Sequence, residues 1–233
     1  MRRSLSLILL LSLAVPTSAA EVAWRVVDRY GTSFGVQYNS HATAGGWVTD
    51  YHGLRRRAES DKTLIHSAWV YMQACDCGGT DTNWDIVGGL TKLFNARGYP
   101  NTPMKERCRY SDKYGETCTF SDYVARLQAN LPVIVTYTYH HGDDHGLVFA
   151  RGRTKQCLSM VGIGYMYYDG RGVLICHDGL TGGEPNPAQT DRIDPAQWGL
   201  ATEGQPWNQP GTSLYRWDGD YTNALMVFVG TPE

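Results

Sequence analysis

At Pro132 the apolar pattern of the chain changes period. Before it, Trp84, Val87, Leu90, Leu93 and Phe94 recur at helical spacing after Asp81-Thr82-Asn83, a helix-start signal. Arg97-Gly98-Tyr99-Pro100 supplies the stop, glycine then proline. A second helix is predicted with Ser121 as N-cap and DYVARLQAN as its body. Beyond Pro132, the runs 133–139, 146–151, 159–168 and 173–177 read as strands, with 169–172 (DGRG) a hairpin turn between the last two. Residues 223–230 read as a closing strand. Helices followed by antiparallel strands predict an α+β domain. Residues 21–65 contain β-prone stretches at 22–27 and 33–38 but no assignable element, and the tail 182–220, rich in Pro, Gly, Trp and Asn, is predicted to wrap the surface.

The N-terminus bears on where such a domain works. Arg2 and Arg3 precede an apolar, small-residue run from Leu5 to Val15, and Ser18-Ala19-Ala20 offers the side chains a signal peptidase accepts. The run is shorter than the roughly 20 apolar residues a membrane span needs. Residues 1–20 are therefore expected to be a signal peptide and 21–233 one domain, secreted or periplasmic, without a membrane span. Taking Arg2 and Arg3 from the 21 basic residues leaves 19 against 23 acidic ones. With no basic stripe, nucleic-acid binding is not expected. A monomer is expected.

All six cysteines, Cys75, Cys77, Cys108, Cys118, Cys157 and Cys176, lie after the signal. An even count in an exported chain predicts disulfides. Cys108 and Cys118 flank a short polar loop and are the expected pair; closing it would contribute on the order of 3 kcal/mol in the chain-entropy model.

Several motifs fall in a suggestive order: a cysteine-bearing loop, a helix ending Gly98-Tyr99-Pro100, a helix leading into Leu131-Pro132-Val133-Ile134-Val135, a strand Ser159-Met160-Val161-Gly162-Ile163-Gly164-Tyr165, a glycine-rich hairpin, and a strand ending Ile175-Cys176-His177-Asp178. Over about residues 70–180 this order resembles the papain-like cysteine peptidases, in particular the bacterial branch related to bacteriocin-processing (double-glycine) peptidases. The resemblance implies a central helix packed on an antiparallel sheet. It also implies a cysteine at a helix N-terminus, a histidine opening a strand as base, and an Asp or Asn on the partner strand to orient that histidine.

Residue by residue, Asp178 matches the orienting carboxylate. The position of the base is held by Leu158, which accepts no proton. Asp76-Cys77-Gly78-Gly79-Thr80 resembles the family's Asp-Cys-Gly-Pro-Thr and makes Cys77 the candidate nucleophile, with Gln73 as candidate oxyanion donor. Counting back from Gly98-Tyr99-Pro100 lands near Thr82 instead. His145 is the candidate for a rebuilt base; His177, adjacent to Asp178 on a strand, points to the opposite face and is expected to be structural. One of Cys75 and Cys77 is expected to bond Cys157, closing the former cleft.

Outside the resemblance, His140, His141, Asp143, Asp144 and His145 crowd one short loop and form a candidate metal site, against the simpler reading of a solvated loop. Trp198, Trp207, Tyr215, Trp217 and Tyr221 offer rings either to a ligand or to the core. No HExxH or phosphate loop occurs. The expectation is a secreted, catalytically degenerate peptidase-like domain that binds a peptide or protein in the old cleft. The alternatives are an active cysteine peptidase or amidase using Cys77, and a metal- or carbohydrate-binding module.

Overall fold

The structure, a computed structural model, describes residues 23–29, 40–74, 84–108, 118–138, 157–178, 192–218 and 223–230. In chain order these form β1 (Trp24–Val26), α1 (Ser40–Tyr51), α2 (Asp61–Tyr71), α3 (Trp84–Ala96), β2 (Met104–Cys108), α4 (Phe120–Gln128), β3 (Val133–Thr138), β4 (Cys157–Tyr168), β5 (Arg171–His177), β6 (Arg192–Ile193), a 3-10 turn (Pro206–Asn208), β7 (Thr212–Arg216) and β8 (Asn223–Val229). The strands make one sheet in the order β2-β8-β3-β4-β5-β7-β6, with β1 pairing β4, and every pair is antiparallel. The chain is thus α+β.

The sheet is buried along its central strands because they are near-continuous apolar runs: Val133, Ile134 and Val135 of β3 and Val173 through Cys176 of β5 are fully buried. The β4–β5 hairpin turns on Asp169 and Gly170, both at positive φ (48° and 72°). That is the backbone a two-residue type I′ turn requires, and an Asp-Gly pair adopts it most readily. Opposite Gly162 and Gly164 the register slips by one residue, a bulge at Ile163 whose carbonyl accepts the Val27 amide at 2.8 Å.

Several elements differ from the sequence expectation. α1 and the start of α2 lie in the stretch given no element. In α2, Ser60 is the N-cap, its hydroxyl accepting the Thr63 N–H. The cap of α4 is Thr119, not Ser121: Thr119 Oγ1 accepts the Asp122 N–H at 3.2 Å and Asp122 Oδ2 accepts the Thr119 N–H at 2.8 Å. That reciprocal pair satisfies two otherwise orphaned amides, which leaves Ser121 inside the first turn. One part of the tail does not wrap the surface: β7 joins the sheet beside β5 with all but its last residue buried.

Candidate functional site

The helix packed on the middle of the sheet is α1, against β4 and β3, while α2 and α3 stack upon α1. Its sequence, SHATAGGWVTDY, suits close burial rather than solvent. Eleven of its twelve residues are buried, Asp50 excepted. Gly45 lies against Met72 and Leu90, and Gly46 lies so near Ile65 that a Cβ would sit 3.3 Å from Cγ1. Trp47 stacks on Tyr51 (5.4 Å between centroids) and tilts against His177 (5.0 Å).

The N-terminus of α1 meets the sheet where β4 and β5 part. Their last shared rung is Val161–His177. Just past it on β4, the Ser159 amide donates to Ser40 Oγ at 3.1 Å. The Ser159 and Thr136 hydroxyls are 2.6 Å apart across the β3–β4 pair. Just past that rung on β5 stands Asp178, its side chain wholly buried. The Tyr215 hydroxyl donates to Asp178 Oδ2 at 2.8 Å, and Arg192 Nε lies 4.0 Å from the same oxygen. His177, 4% exposed, bonds Thr212 Oγ1 through Nδ1 at 2.8 Å. Ser40 and Ser159 thus meet on the face of the sheet that carries α1, where His177 meets Trp47, while Asp178, the next residue, turns with Tyr215 to the other face.

Burial dominates the electrostatics there. The Cys176 thiol is pushed well above its usual range by burial and then by the Asp178 charge. Tyr215 is raised for the same two reasons, and Tyr123, whose hydroxyl donates to Gly164 O at 2.8 Å, chiefly by burial. His41, the second residue of α1, is 2% exposed and its pKa falls to about 4 through desolvation. Its Nδ1 has no hydrogen-bond partner among the described residues.

The sequence-derived candidates divide sharply. Asp178 stands just past β5, held by Tyr215 on the face of the sheet away from α1. Leu158 pairs with Tyr137 through the backbone; its side chain lies outside the described residues, as do Cys77, His140, His141, Asp143, Asp144, His145 and the side chain of Cys157. Gln73 is exposed in the turn after α2, at a positive φ of 53°. Cys118 is buried with Sγ 3.4 Å from Met226 Sδ, and Cys108 pairs through its backbone with Leu225. The two cysteines therefore reach one stretch of β8, the Cys108 side chain itself lying outside the described residues. Cys176 carries a free, buried thiol. Cys176 therefore carries no disulfide, and the six cysteines do not all pair with one another.

Ser40 and His41 were not singled out by sequence. The only local signal is a serine, a good N-cap type, ahead of a small-residue stretch with two glycines. Among the described residues, Ser40 Oγ bonds only the Ser159 amide, and a serine hydroxyl becomes a nucleophile only beside a base that takes its proton. Trp198, Trp207 and Trp217 of the aromatic tail are engaged internally: Trp198 stacks on Tyr168 at 4.6 Å, Trp207 Nε1 donates to Ala201 O, and Trp217 packs on Phe120 and Tyr123, while Tyr221 lies outside the described residues.

No family model matches the chain, and no curated protein matches it. Among the described residues no helix is long and apolar enough to cross a membrane.

Proposed function

We propose that this chain is a secreted, papain-like domain related to the bacteriocin-processing peptidases, with a degenerate catalytic centre and a cleft that binds a peptide or protein. The observation that carries the reading is the Ser40–Ser159 bond at the junction of α1 with β4 and β5. A buried helix that begins against the strand carrying Leu158 resembles the arrangement papain-like chemistry uses. Here the helix begins with a hydroxyl in place of a thiol, and the base position holds leucine. Asp178 accepts the Tyr215 hydroxyl. Each change removes one component of a thiol–imidazole pair.

The test combines hydrolysis with covalent labelling. Folded, reduced protein is incubated with a casein digest and with epoxide and vinyl-sulfone inhibitors. No turnover and no adduct are expected, and a peptide library displayed against the protein should yield ligands that Ser40→Trp no longer holds. Hydrolysis abolished by Cys77→Ala or by Ser40→Ala would overturn the inert reading.

A further inference from the structure

α2 and α3 leave between them a pocket of about 230 Å³ that shares no residue with the α1–β4 junction. Its polar lining is Arg56, His66, Ser67, Tyr71 and Arg97, with no acidic residue among the lining groups. The Arg97 side chain is 3% exposed. Its Nη1 donates to Glu59 Oε2 at 2.7 Å and to Leu54 O at 2.7 Å, and its Nη2 to Glu59 Oε1 at 2.8 Å. Its Nε is buried and has no partner among the described residues. A buried, charged donor without an acceptor is a costly feature that a bound anion would relieve.

Glu59 is already committed. Both its oxygens hold Arg97, Oε2 also accepts the Arg56 amide at 3.0 Å, and its carboxyl is held low, first by the Arg97 hydrogen bonds. The Arg56 guanidinium reaches only the Ala96 carbonyl, at 3.4 Å. Two guanidiniums against one carboxylate leave an excess positive charge at the pocket. The Ser67 proton goes to Thr63 O at 2.9 Å, so the available donors are Arg56, Arg97 Nε, Tyr71 and His66. The His66 ring is fixed by stacking on Trp69, with 15° between planes. Val70, 51% exposed, borders the same pocket with an apolar surface.

We propose that this pocket binds a small tetrahedral oxyanion, phosphate or sulfate, free or as the terminal group of an ester. Donors converging from α2, from the turn before it and from the end of α3 suit four oxygens better than the two of a carboxylate. The volume is several times the ~30 Å³ share of one water, which leaves room for the first carbons of an ester against Val70.

The experiment is calorimetric titration of the full chain with inorganic phosphate, sulfate and acetate at constant ionic strength. Saturable binding of phosphate and sulfate is expected, weakened about tenfold in Arg56→Gln, which deletes one charge-assisted contact. His66→Gln should also weaken it. Arg57→Gln, an exposed neighbour outside the lining, should bind as the wild type does. A phosphomonoester binding more tightly than inorganic phosphate would assign the pocket to an ester, and equal affinity would assign it to the free ion. Absence of saturable binding by about 10 mM ligand, or undiminished affinity in Arg56→Gln, would overturn the proposal.

Discussion

Ser40 Oγ accepts the Ser159 amide at 3.1 Å, tying the first residue of the buried helix to the strand just past its last rung with β5. Both residues are buried, at 8% and 2% exposure. Ser40→Ala would leave that amide without a partner, away from water. We expect a loss of about 1–2 kcal/mol and a fall in Tm of roughly 2–6 °C, measured by thermal denaturation followed by circular dichroism. An unchanged Tm would mean the bond carries no stability.

His41 makes folding sensitive to mild acid. Its pKa in the folded chain is about 4, against an ordinary 6.5. Between those values the unfolded chain binds the proton and the folded chain does not. Stability is therefore complete above about pH 6.5 and declines as pH falls toward 4. His41 alone should cost roughly 2 kcal/mol between about pH 7 and 5. His52, lowered to about 4 by burial and by the Arg126 and Arg29 charges, acts in the same direction. Urea denaturation at the two pH values should show the drop, and His41→Gln should lessen it.

Cys176 should resist alkylation. Its thiol is fully buried, and both burial and the nearby Asp178 charge oppose the thiolate that would react. Iodoacetamide at neutral pH should leave Cys176 unmodified in the folded protein and modify it once urea unfolds the chain, as peptide mass mapping would show. Stoichiometric labelling of the folded form would contradict the burial.

The sequence reveals the parts of the fold whose local chemistry is self-sufficient. Asp169-Gly170 specifies its hairpin, and the apolar stripe from Trp84 to Phe94 specifies α3, because each signal is complete within a few residues. α1 is illegible for the opposite reason. Buried on nearly every side, it lacks the polar face that reveals helical period, and Gly45 and Gly46 lower its intrinsic propensity. Its stability comes from Met72, Ile65 and the sheet, contacts that one segment's sequence cannot display. β7 hides likewise in a Pro- and Gly-rich tail. Asp178 is legible at the site because it ends a strand of recognisable pattern. Ser40 is not, since a serine before small residues is unremarkable until the strand it touches is known.

The position of β8 sets an order of assembly. It is the last of the described strands, yet it lies between β2 and β3, in register with both. Until residues 223–229 have been synthesised, β2 has no neighbour among the described strands and one edge of β3 lacks its partner. The sheet is therefore sewn together only once that strand is made, and a nascent chain arrested before that point would present open strand edges to whatever holds it.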